Sequence, residues 1–174
     1  MRDSLPGINL CAPAYFYLMD DTYCLERAIA LAREHSRDGR NGPFGAVIVR
    51  SGRIIAEGWN RVVETNDPTA HAEINAIRNA CTAIDSYNLA GCTLYCSCEP
   101  CPMCLAAAYW ARVERVVYAA TGRDAAAAGF DDVVIRDELT KDPAKRSIKI
   151  DHVPLVSATQ VFADWADNDR KVPY

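Results

Sequence analysis

Along this chain the apolar positions recur first at helical spacing, then at alternating spacing, and the switch repeats, which predicts an α/β layer fold. The stretch TYCLERAIALAREHS carries Leu25, Ile29 and Ala32 on one helical stripe, with Asp21 or Thr22 in place to cap it, and RDGRNGPFG ends it. GAVIVRSGRIIAEGWN predicts a hairpin of two strands joined at Ser51-Gly52, the second reaching about Trp59. DPTAHAEINAIRNACTAI predicts a helix capped by Asp67, with Pro68 in its first turn and Ile74, Ile77, Cys81 and Ile84 as its stripe. CTLYCS then reads as a strand, CPMCLAAAYWAR as a helix and RVERVVYAA as a strand. A polar loop holding GFDD follows, with a last strand near SIKIDHV and a closing helix in VSATQVFADWADN. The expected architecture is a mixed sheet of about five strands with helices on both faces.

Composition narrows the class. At 174 residues, half of them apolar, the chain makes one ordinary domain with a real core. Its formal charge of -4 and pI near 5.4 come from acids and bases mixed along the sequence, with no basic arm, so no nucleic-acid partner is expected. Pro6, Gly7, Asn9 and Pro13 interrupt the apolar run at the N-terminus, which therefore lacks the core of a signal peptide, and no segment reaches transmembrane length. Residues 1–20 read as an N-terminal extension and 21–174 as a single domain. The expected compartment is a reducing cytoplasm, where the eight cysteines point to metal or catalysis rather than disulfides.

Four of those cysteines fall in LYCSCEPCPMC. Cys92 and Cys96 share one strand face with Leu94 and read as small apolar core residues. Cys101 and Cys104 differ, because Pro102 is placed to start a helix and the pair then sits three apart at its N-terminus. Helix dipole and free N–H groups there favour thiolates, the form that binds metal. An iron–sulfur run of the C-x2-C-x2-C-x3-C type would also use Cys98, but its fourth position is Ala108.

Two thiolates need a third ligand to make a catalytic zinc site with one open position. His71 supplies it, one βα unit upstream at another helix start, with Glu73 two residues on; His35 and His152 have no such company and read as ordinary histidines. Residues 71 and 73 lie about 200° apart on an ideal helix, so both face one site only in a first turn. A His-Cys-Cys zinc lowers the pKa of a bound water toward ~7. A carboxylate beside the metal but not on it can then carry protons to a ring nitrogen and a departing amine, which is hydrolytic deamination of an aminated heterocycle. His71-Ala72-Glu73 with Pro100-Cys101-Pro102-Met103-Cys104 matches the H-x-E…P-C-x-x-C pattern of zinc deaminases.

Through NGPFGAVIV, NDPTAHAEINAIRNAC, LYCSCEPCPMCLAAAYWAR, VVYAATGRDAAAAGFDD and KVPY, the chain resembles the bacterial guanine deaminases of the cytidine-deaminase fold over nearly everything after about residue 22. The resemblance implies a three-layer α/β/α fold, one zinc per chain and a purine base as substrate, guanine being converted to xanthine and ammonia. It implies that Asn60, Asp132 and Tyr174 hold the ring, with Phe44 and Trp110 as walls. It also implies a homodimer made by exchange of residues 150–174, with Tyr174 over the partner's pocket. The residues alone leave plainer roles open: Asn60 bonding a turn, Asp132 capping a helix, Phe44 and Trp110 in the core. Cys96 and Ala106 depart from the family pattern beside the ligands. Guanosine and transfer-RNA adenosine are the rival substrates, the second disfavoured by the lack of a basic surface. A structural zinc module or a redox CxxC protein would leave Glu73 without a task.

Overall fold

The computed structural model describes residues 20–173, so Tyr174 and all but the last residue of the N-terminal extension lie outside the described residues. Helix α1 (Asp21–His35) leads into the hairpin β1 (Gly45–Arg50) and β2 (Arg53–Trp59), the one-turn helix α2 (Val62–Thr65), and α3 (Ala72–Ala83). Strand β3 (Cys92–Cys98), helix α4 (Pro102–Trp110) and strand β4 (Arg115–Ala120) follow, then α5 (Gly122–Ala127), α6 (Val133–Thr140) and α7 (Val156–Ala166). The sheet order is β2-β1-β3-β4, with β1 antiparallel to both its neighbours and β3 parallel to β4. The mixed sheet is as expected, but it has four strands among the described residues rather than about five.

The central strands β1 and β3 are buried on both faces, in keeping with GAVIV, which has no polar side to turn outward. Ala46 and Ile48 pack with Leu94, Cys92 and Cys96 against α3 and α4, while Val47, Val49 and Tyr95 pack against α1. Cys92 and Cys96 thus fill core, as their strand face predicts. Ser51 and Gly52 both take positive φ, 51° and 72°, the geometry of a two-residue turn whose twist matches that of the strands.

Two helix starts differ from the sequence expectation, each because a carboxylate found other work. Asp20, not Asp21 or Thr22, caps α1, its Oδ1 accepting from the Tyr23 N–H at 2.7 Å. Asp21 instead accepts from the Tyr95 hydroxyl and from both Arg115 N–H groups, tying the helix start to β3 and β4. Asp67 accepts from the backbone N–H and hydroxyl of Thr69, closing a turn of its own, so α3 begins only at Ala72 with His71 as its N-cap. The region expected as a polar loop around GFDD forms α5 and α6. The SIKIDHV segment is not a strand: Ile148, Ile150 and Val153 are exposed, and an extended segment needs an adjacent sheet edge that this segment does not meet. The closing helix α7 forms where expected but buries no residue.

Helix α3 lies close on β2. A Cβ at Gly58 would stand 2.3 Å from the Ala72 carbonyl oxygen and 2.4 Å from the Ala76 nitrogen, both backbone atoms of α3. Gly58→Ala is therefore expected to cost about 1–3 kcal/mol by forcing α3 off the sheet. Urea unfolding of the two proteins checks this, and an unchanged midpoint would show that the helix can shift freely.

Candidate active site

The C-terminal end of β3 and the starts of α3 and α4 converge on one point. His71 and Cys101 are the N-caps of their helices, both in extended backbone conformation, and neither makes a side-chain cap bond. That frees both side chains to face inward. Pro102 opens α4 with its fixed φ, and Cys104 returns to the same face one turn later. Asn75 secures the α3 start by donating from Nδ2 to the carbonyl oxygens of Trp59 (2.8 Å) and Ala70 (3.2 Å).

His71 Nδ1 lies 3.6 Å from Cys101 Sγ and 3.5 Å from Cys104 Sγ, and the three ligand atoms all fall within 4.8 Å of one another. Zinc–nitrogen and zinc–sulfur bonds of about 2.05 and 2.3 Å, opened to the tetrahedral angle, separate N and S by about 3.6 Å. The donor set therefore has the chemistry and the dimensions of a zinc site with its fourth position free. Charge is distributed to match. The hydrogen bond from Cys104, together with the His71 imidazole, outweighs burial and pulls the Cys101 thiol down to about 4. The Cys104 thiol is pushed up by the same bond and by burial. The Cys101 thiolate in turn holds the His71 imidazole above its ordinary range.

Glu73, in the first turn of α3, is 8% exposed and stands outside the ligand triangle. Burial pushes its carboxyl above the usual carboxylate range. It borders a cavity of ≈ 510 Å³, within the range of small-molecule sites, which opens from the ligand triangle.

Asn60, Phe44 and Asp132 border the same cavity. Asn60, directly after β2, is buried, and its Oδ1 accepts from the N–H groups of Gly42 and Val62, both at 3.3 Å. Phe44 meets Phe130 edge to face at 5.0 Å between ring centroids. Asp132 is the N-cap of α6 but makes no cap bond; its Oδ2 accepts from Arg136. Trp110 is not brought to the cavity. It ends α4, nine positions after Cys101 and six after Cys104, and is 69% exposed beside Ala106 and Arg112. Phe130, Glu99 and Arg136 are contributors that sequence reading missed. Glu99 stands inside the cysteine motif with nothing in its spacing to set it apart, and Arg136 carries no local signal at all.

Residues 18–120 match the family profile described as the cytidine and deoxycytidylate deaminase zinc-binding region. The guanine deaminase of Bacillus subtilis (strain 168) is 52% identical over 150 residues, which span 86% of this chain and 96% of that protein. The tRNA-specific adenosine deaminase of Aquifex aeolicus (strain VF5) is 33% identical over 147 residues, 84% of this chain and 94% of that one. The X-ray structure of the Bacillus subtilis guanine deaminase superposes with a TM-score of 0.87 at 51% identity, covering 90% of this chain and 99% of that one. A structure of the guanine deaminase from Nitrosomonas europaea gives a TM-score of 0.56 at 37% identity, covering 71% and 66%.

Proposed function

This chain belongs to the zinc-binding cytidine and deoxycytidylate deaminase family, and on that footing we propose that it hydrolyses guanine to xanthine and ammonia. The observation that carries the reaction class is the ligand triangle of tetrahedral zinc dimensions with one buried carboxylate beside it and a cavity in front. The substrate rests on the 52% identity to a guanine deaminase across 86% of the chain, against 33% for a transfer-RNA adenosine deaminase. The net charge of -4 gives that second reading no support.

A zinc ion held by His71, Cys101 and Cys104 supplies the Lewis acidity that makes water a nucleophile near neutral pH. Glu73 takes one proton from the attacking water and delivers it to the ring nitrogen beside the reacting carbon. A carbon–oxygen bond forms there, the bond to the exocyclic amine breaks, and the second water proton leaves on ammonia through the same carboxylate. The Ala72 N–H, in the first turn of α3 with no helical carbonyl to bond, would meet the ring oxygen. Asn60, with Oδ1 already occupied by the backbone, offers Nδ2 to a ring acceptor. Asp132 offers a carboxylate to a ring N–H, and Phe44 with Phe130 forms an apolar wall. Trp110, at the end of α4, does not border the cavity of its own chain.

The working unit in this reading is a homodimer in which residues 150–174 cross to the partner and Tyr174 covers the partner's pocket. Support comes from α7, which in the single chain leaves Val156 85% exposed and Val161, Phe162 and Trp165 uncovered, an apolar face that asks for a cover. A second copy of the chain supplies it by exchange of identical elements. The seven cysteines of residues 20–173 are all free thiols, which supports a reducing, cytoplasmic compartment. Among the described residues no helix is long and apolar enough to cross a membrane.

Ammonia release from guanine, guanosine, cytosine and adenine tests the substrate. Guanine is expected to exceed each of the others in kcat/KM by about 100-fold or more, because ring-edge partners left unpaired by the wrong base are costly. A higher kcat/KM on guanosine would move the reading to a nucleoside deaminase.

A further inference from the structure

A carboxylate at a helix N-terminus ordinarily turns back to cap the free N–H groups. Asp132 does not: its Oδ2 is held by Arg136, whose Nε lies at 3.2 Å and Nη2 at 3.1 Å. Its Oδ1 accepts no hydrogen bond among the described residues, and the residue borders the cavity. The same guanidinium reaches the β3–α4 loop, where Nη2 donates to the Pro100 carbonyl oxygen at 3.1 Å and stands 3.4 Å from Glu99 Oε1. Glu99 Oε2 in turn accepts from the Gly122 N–H at 3.0 Å, so one planar group links the start of α5, the start of α6 and the residue before the ligand Cys101.

We propose that Arg136 is a positioning residue that keeps Asp132 from capping its own helix, aims its free oxygen at the bound purine, and registers that aim against the loop carrying Cys101. The inference rests on reading the cavity as a guanine site. Arginine suits the task because its rigid fork makes several directed bonds at once, whereas lysine brings a point charge on a flexible stem. Removing the cation leaves Asp132 and Glu99 as neighbouring like charges, and Asp132 is then free to rotate toward the N–H groups of α6. A contact made equally in the ground state and the transition state appears in KM and not in kcat.

The test is steady-state guanine deamination by zinc-loaded Arg136→Met, Arg136→Lys, Asp132→Asn and the Arg136→Met/Asp132→Asn double variant. Arg136→Met is expected to raise KM about 10-fold or more with kcat changed less than about 3-fold and zinc content intact, and Arg136→Lys is expected to fall between it and wild type. In the Asp132→Asn background the same arginine change is expected to add less than about 2-fold, because an effect that runs through Asp132 disappears once that carboxylate is gone. Equal cost in both backgrounds, or loss of kcat and zinc with KM unchanged, would make Arg136 a plain structural clamp and overturn the inference while leaving the guanine reading in place. Should Arg136→Met fail to fold, Arg136→Lys carries the same comparison. A wild-type enzyme that releases no ammonia from guanine overturns the reading itself and the inference with it.

Discussion

Zinc-loaded Glu73→Gln enzyme is expected to keep its metal and its fold while kcat for guanine falls by about 10²–10⁴-fold. The amide has nearly the volume of the carboxylate, so the packing of this buried position is preserved. It stands outside the triangle of His71 Nδ1 and the two cysteine sulfurs, so its exchange removes no ligand. What is lost is the capacity to take and return a proton, twice per turnover. Metal content, thermal midpoint and ammonia release on one preparation check all three expectations. Substantial turnover by Glu73→Gln would sink the proton-shuttle assignment, and loss of zinc would make the carboxylate part of the metal site.

Mixing two inactive proteins is expected to regenerate activity. A chain lacking residues 171–174 keeps its zinc ligands and Glu73, and a Glu73→Gln chain keeps its tail. In an exchanged dimer the intact tail of one covers the intact centre of the other, so each mixed dimer contains one working site. Random exchange makes half the dimers mixed, giving about a quarter of wild-type activity at equal ratio. In the single chain the Pro173 carbonyl oxygen accepts from the Tyr87 hydroxyl at 2.9 Å, and Tyr87 does not border the cavity of that chain. No recovery after verified subunit exchange would mean that the tail serves its own chain or none.

Much of this architecture was legible in the residue pattern, and the failures have definite causes. The hairpin, β3, α4, β4 and α7 were readable because period and punctuation agreed at each. The candidate zinc site of His71, Cys101 and Cys104 was legible because few chemistries other than a zinc centre explain a helix-start histidine paired with a helix-start CxxC. The start of α3 was misplaced because Asp67 closed its own turn, a local competition that propensity does not resolve. Helices α5 and α6 were missed because GRDAAAAG offers no apolar stripe and GFDD carries turn residues. Alternation in SIKIDHV predicted a strand, yet a strand exists only where a neighbour accepts its hydrogen bonds, and no such neighbour is named in the sequence. The resemblance assigns Trp110 to the pocket, whereas in the single chain it ends α4, nine positions after Cys101, and does not border the cavity. Arg136 was invisible because its partners Glu99 and Pro100 stand 37 and 36 positions away, a distance that only the folded chain abolishes.

His71 stands 30 residues before Cys101 and 33 before Cys104, at the start of a different helix. A metal ion shared between them is a cross-link as well as a reagent, closing a loop that runs through α3 and β3. Closing a loop of that length in the denatured chain carries an entropic penalty comparable to that of a disulfide, yet this link forms from reduced thiols and needs no oxidant. Such a link also releases under a chelator, so resistance to unfolding and proteolysis rises with free zinc concentration, as for any ligand of the native state. The supply of metal would then govern how much of this protein persists, before any substrate is met.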